Sequence, residues 1–309
     1  MRIITLFFMI FPFMASANVL PLDDALRATY TACVGIDDEL SDLKTMAGIN
    51  TAITSVGTAA GVGATVTGLV KASKDKQIEI KLEKLREIEQ KNPDLQSTNA
   101  EWDNFESDLT TELANAKIEV EKYQAEIEKL NKQSKKLGNW RTGLMAGATA
   151  TNVAGAIIAG TNKVDGDLKT QIDNCIGSVK TLQNSIMQAR INGEDVSEAE
   201  SIASACGEYE YVDVSKINNR AKGAMISSAV GAATGLAGTI TSATANSNKI
   251  HDAQGDAAQQ KEKNLNTAAN VLAGATTVAS ATATVFNATQ ISAIKKVAAV
   301  AEKCTGVLK

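Results

Sequence analysis

Few side chains in this 309-residue sequence are of a type that does chemistry, and the four cysteines come first. Three of them share a C-x-G sequence: Cys33-Val34-Gly35, Cys175-Ile176-Gly177 and Cys304-Thr305-Gly306. In an exported chain, an even number of cysteines is read as a disulfide framework, and four allow three pairings. Cys33 lies 15 residues before Gly48 and Cys175 lies 13 after Asn162, so the two bracket one stretch of chain. Cys206 and Cys304 bracket a second stretch in the same way. The favoured pairing is therefore Cys33–Cys175 with Cys206–Cys304, and the runner-up is Cys175–Cys206 with Cys33–Cys304. A zinc centre would want C-x-x-C spacing or clustered histidines. Neither is present, so no metal is expected.

The remaining chemical signals fail their own context tests. The single histidine, His251, stands beside Asp252 in a polar turn, with no partners to form a triad. Gly61-Val62-Gly63 has the spacing of a dinucleotide loop, but it follows no strand and lies inside a helical pattern. No phosphate-cradling GxxxxGK[ST] occurs. The acidic run Asp37, Asp38, Glu39 and Asp42 lacks the spacing of a calcium loop and fits a helix start, where carboxylates favour the dipole. Asn287-Ala288-Thr289 matches a glycosylation sequon in a helix that reads as buried. The sequence thus predicts no catalytic, cofactor-binding or metal-binding residue, and no enzyme.

The elements that carry these residues are read from composition. "MRIITLFFMIFPFMASA" has a basic tip, a short apolar run and an A-x-A exit, which predicts a signal peptide over residues 1–17. Its apolar run is too short to span a bilayer. Four of the six phenylalanines lie in it, leaving a mature chain poor in aromatics. Abundant Ala, Lys, Glu and Gln then favour helix over sheet. The net charge is −4, with charges of both signs mixed along the chain. No basic patch with stacking aromatics marks a nucleic-acid surface.

Four long stretches lack charge: 46–70, 142–162, 223–248 and 264–294, apart from their ends rich in Ala, Gly, Thr and Ser. Between the first two lies a highly charged region. Asn92-Pro93 ends one helix there, and Thr98 with Glu101 makes a capping box for the next. Leu130, Leu137, Leu144, Thr151 and Ile158 recur every seven residues, a coiled-coil period. One helix is expected from Asn99 to about Gly160, returning against 48–90. A smaller hairpin follows, from about Ile217 to Asn248 and Asn264 to Lys303. A helix over 167–191, a short one capped by Ser197 and Glu200, and an extended "EYEYV" connect the two. The expected fold is all-α: long antiparallel helical hairpins and coiled coil forming an elongated bundle, with an internal duplication of a Gly/Ala-rich hairpin. Its divisions are 1–17, 18–163 with the charged coiled-coil tip, 164–215 as a helical connector, and 216–309.

Gly57, Gly61 and Gly68 fall on one helix face, as do Gly143 with Gly147 and Gly231 with Gly235. Small residues at this spacing let helix backbones approach closely, in lipid or in water. Residues 48–70 are long enough to span a bilayer. Their seven strong apolar side chains offer only about −2 to −4 kcal/mol of insertion energy. Lys71, Lys74 and Lys76 on one side, and Lys135, Lys136, Trp140 and Arg141 on another, read as interfacial anchors. The first expectation is an exported helical protein of the periplasm, cell surface or medium, working by self-association or by binding another helical partner. The alternative is a membrane-active protein whose Gly/Ala helices insert as hairpins into a bundle or pore.

Overall fold

The structure is a computed structural model that describes residues 19–91, 107–247, 250 and 256–308. The expected signal peptide, the Asn92-Pro93 stop, the Thr98–Glu101 cap and His251 lie outside these residues. Among the described residues the fold is all-α, with no strand. Its elements are α1 (Leu22–Cys33), α2 (Ile36–Lys91), α3 (Ser107–Thr161), α4 (Gly166–Ile191), α5 (Ser197–Gly207), a 3-10 turn (Glu208–Tyr211), α6 (Ser215–Ala245) and α7 (Asp256–Leu308). Helices α2, α3 and α7 run for 56, 55 and 53 residues, each about 80 Å at 1.5 Å per residue.

The chain forms two compact units that interleave along the sequence. Of the described residues, one gathers those up to Thr45 with 164–218 and 292–308; the other gathers those within 46–163 and 219–291. The first unit packs α1 and α5 on α4. Its core is conventional, with Ile36, Leu40, Leu168, Ile172, Leu182, Ile217, Ile294 and Val297 all buried. Gly35, at φ +88°, makes the left-handed turn that ends α1 and starts α2, a conformation that costs little only without a Cβ. Asp165 caps α4 by accepting the Leu168 N–H at 2.8 Å.

Two local expectations change here. Ser197 does not cap α5; the Asp195 carboxylate accepts the Ser197 N–H at 3.0 Å instead, because it sits two residues earlier, where an Asx turn closes. The "EYEYV" stretch is a 3-10 turn rather than extended. In a strand, Tyr209 and Tyr211 would share a face. The turn splits them, burying Tyr209 fully and leaving Tyr211 86% exposed.

The second unit is a four-helix bundle of antiparallel neighbours. A Cβ on Gly57 would stand 2.5 Å from Thr151 on α3 and 3.7 Å from Ser280 on α7. Further along α2, Gly68 faces Arg141 and Asn270, lower numbers on both partners. Gly231 and Gly235 of α6 meet Asn152 and Thr149 of α3. Each helix therefore has two antiparallel neighbours, and glycines open the slots into which the neighbours' side chains fit.

Gly143 and Gly147 do not join this packing: nothing lies within 4 Å of a Cβ at either. The buried seam of α3 runs through Ser134, Gly138, Arg141, Met145, Ala148, Asn152 and Gly155, two residues out of phase with those glycines. The Leu137, Leu144, Thr151 and Ile158 register flanks that seam, half-buried. Val56-Gly57, Gly61, Thr65 and Thr67 of α2 match Val230-Gly231, Gly235, Thr239 and Thr241 of α6. Corresponding levels of α3 and α7 agree at few positions, such as Leu144 and Leu272, so an internal duplication does not follow from the packing.

Candidate functional site

The seam positions of the second unit recur at steps of three and four, as in any helical bundle, but their residue types are inverted. On α2 the buried positions are Ala47, Asn50, Thr54, Gly57, Gly61, Ala64, Gly68 and Lys71. On α7 they include Asn266, Ala269, Ala273, Thr276, Ser280, Ala283, Asn287 and Gln290. Hydrogen bonds join these polar groups from helix to helix. Asn50 Nδ2 donates to Asn287 Oδ1 at 2.9 Å, and Asn287 Nδ2 to Thr54 Oγ1 at 3.3 Å. Asn152 Nδ2 donates to Ser280 Oγ at 2.8 Å. The hydroxyls of Thr234 and Thr276 meet at 3.0 Å.

The large apolar side chains point the other way. Val56, Val66 and Leu69 on α2, Ile157 on α3, Leu236 and Ile240 on α6, and Val271, Val278 and Val285 on α7 are all more than half exposed. In water, each such exposure forgoes much of the roughly 1.5–3 kcal/mol that burying the side chain would supply. The first unit of the same chain builds its core from buried Leu, Ile and Val, with Ile191 at the end of α4 exposed. The inversion is therefore concentrated in the second unit, chiefly in the uncharged stretches, where the buried seam is polar or small. Among the described residues, four helices are long and apolar enough to cross a membrane, and the apolar windows that qualify them are only 28–33% buried.

Two charges lie inside this bundle where sequence reading placed them at its rim. Arg141 is fully buried. Its Nε donates to Ser242 Oγ at 2.8 Å, Nη1 to Asn270 Oδ1 at 2.9 Å and Nη2 to Asn266 Oδ1 at 2.7 Å. Lys71, also fully buried, pairs with Asp75 at 2.8 Å and Glu262 at 3.0 Å. Ser134 donates to the other Asp75 oxygen. Buried charges persist only when paired and hydrogen-bonded in this way. The missed signal is phase: stepping the buried seam from Ser134 by fours and threes lands on Arg141. Trp140, one residue away, is 61% exposed. Asn287, the sequon residue, is buried and bonded to Asn50, where no glycan fits.

The disulfides belong to the first unit: Cys33 joins Cys175, and Cys206 joins Cys304. The Sγ atoms of Cys33, Cys175 and Cys304 lie within 4.8 Å of one another. As disulfide sulfurs they carry no thiolate to offer a metal. Tyr209, three residues after Cys206, is fully buried, and burial pushes its phenol far above its usual range. Comparison with protein-family models, curated proteins and solved structures returned no match.

Proposed function

We propose that this is a non-enzymatic, membrane-integral helical bundle of the cell envelope, the second unit standing in a bilayer as four spans. The single observation that supports this reading is the inverted residue pattern: polar side chains within the bundle, Val, Leu and Ile outside. Water drives apolar surface inward; lipid removes that drive and instead favours small residues and polar groups at helix contacts. The uncharged stretches, at 21 to 31 residues, suit a hydrocarbon core of about 30 Å. This reverses the order of the two expectations drawn from sequence alone, because length and mean hydropathy do not reveal which face the apolar residues occupy.

Topology follows from chain order. With a cleaved signal peptide, the residues before Met46 lie outside. The four spans then leave both disulfides on the oxidising side and the charged 71–141 segment inside, where its lysines accord with the positive-inside rule. The test is alkaline extraction of membranes from cells expressing the full chain. The protein is expected to stay with the pellet and to need detergent for purification. Recovery in the supernatant as a monodisperse species without detergent would overturn the proposal.

A further inference from the structure

Within the second unit, the polar seam residues form a file that extends through successive levels of the bundle. Asn50 and Asn287 occupy one level, Thr54 and Ser228 the next, then Asn152 with Ser280, and Thr234 with Thr276. One level breaks the file. There Met145 is buried against Ala64 and Ala273, with Leu144 beside them, and its side chain fills the slot left by Gly238 while Leu272 closes the other side. Beyond it the file resumes with Arg141 among Ser242, Asn266 and Asn270, and then Lys71.

A bundle that had only to stand in lipid would be served by small residues and by polar groups that bond one another from helix to helix. This one buries polar atoms that have no protein partner, on both sides of Met145. Asn50 Oδ1 and Ser228 Oγ are fully buried and unpartnered. Both lie beside Gly155, at 3.3 and 3.1 Å from where a Cβ would stand. Asn162 and Gln290 carry unpartnered amide atoms at one end, and Asn246 carries one toward the other. Buried polar atoms of this kind are ordinarily satisfied by water.

The charges along the file are not symmetric about it. Arg141 has no carboxylate among its hydrogen-bond partners, and Asp75 and Glu262 act on it only through space. Lys71 is fully buried, whereas its partners Asp75 and Glu262 keep 31% and 17% of their side-chain surface exposed. The two cations are therefore buried more deeply than the two carboxylates that balance them, so a small anion on the axis would meet the positive groups first, and in a low-dielectric interior that nearness favours anions over cations. Methionine is unbranched and turns easily among rotamers, and an apolar ring in a polar path gates by excluding water.

Resting on the membrane reading above, we infer that the bundle axis is a conduit for small inorganic anions, held shut at Met145 and made anion-selective by Arg141 and Lys71. The test reconstitutes the full chain into phosphatidylcholine–phosphatidylglycerol vesicles loaded with potassium chloride. Chloride release is followed with an electrode after valinomycin is added, and potassium release in parallel with a proton carrier. Met145→Ser is expected to speed chloride release at least tenfold over wild type, with potassium release unchanged. Met145→Ala is expected to leak as well, to a smaller extent. Val271→Ser, which adds the same hydroxyl on the outer face, is expected to match wild type. Arg141→Gln in the Met145→Ser background is expected to cut the chloride-over-potassium preference at least fivefold. Inserted, disulfide-bonded Met145→Ser and Met145→Ala proteins that both stay as tight as wild type would overturn the conduit. Equal release of potassium and chloride would overturn its selectivity. Alkaline extraction of the same vesicles separates this outcome from failure of the membrane reading, since only the latter frees the protein.

Discussion

Val278 offers the sharpest test of which solvent surrounds the bundle. It is 67% exposed and stands on α7 between Thr276 and Ser280, near the middle of the uncharged stretch. In a water-soluble bundle, Val278→Asp replaces an exposed apolar group by a charge, and stability should change by no more than about 0.5 kcal/mol. In a bilayer the change removes about 0.3–0.6 kcal/mol of favourable insertion energy and adds about 2.5–3.5 kcal/mol of cost. The sum, about 3–4 kcal/mol, is a 150- to 900-fold shift in partition at about 1.36 kcal/mol per tenfold. Insertion of these helices is marginal to begin with, so such a shift empties the membrane pool. The assay is the fraction of full-length chain resisting alkaline extraction. Met187→Asp, on the first unit at 58% exposure, serves as the control and should extract like wild type. A Val278→Asp protein that fractionates like wild type, and melts within about 0.5 kcal/mol of it, would refute the reasoning.

Other expectations follow from the same contacts. Gly231→Ala puts a Cβ 2.8 Å from the Asn152 amide and should destabilise the bundle by about 1–3 kcal/mol in denaturant titration. Gly147→Ala meets open space and should be neutral or stabilising by up to about 1 kcal/mol. Non-reducing peptide mapping should recover Cys33 with Cys175 and Cys206 with Cys304. Replacing both cysteines of either pair by serine should cost about 2–5 kcal/mol in thermal unfolding. Tyr209 has an ordinary phenol pKa when unfolded and a raised one when folded. Its neutral form is therefore favoured by the fold, and stability should fall as pH rises beyond the unfolded phenol value of about 10. Tyr209→Phe removes a buried hydroxyl that has no partner, and should shift alkaline unfolding, followed by circular dichroism, to higher pH.

The helical class and the cysteine spacing were legible because both are written in local composition and chain position. Five of the seven singled-out glycines, Gly57, Gly61, Gly68, Gly231 and Gly235, meet a neighbouring helix. Gly143 and Gly147 do not, for a physical reason. A three-four spacing defines a stripe but not which way it faces, and the apolar residues that usually fix the phase lie on the outside of this bundle. Arg141 and Lys71 were hidden by the same assumption, that a charge bordering an apolar run belongs at a surface. Reading the polar residues of α3 as the inner stripe, from Ser134 through Arg141 to Asn152, would have recovered both phase and charge.

The disulfides have one more consequence. Cys33–Cys175 and Cys206–Cys304 join residues 142 and 98 positions apart. Each bond turns one long hairpin into a covalent loop closed on itself, and the two loops share no residue, being linked by the chain from 176 to 205. A protease that nicks the charged segment between Lys71 and Arg141 therefore cannot release either half. The nicked molecule keeps both fragments together until a reductant is added, so a single cut in that segment shows on a reducing gel and not on a non-reducing one.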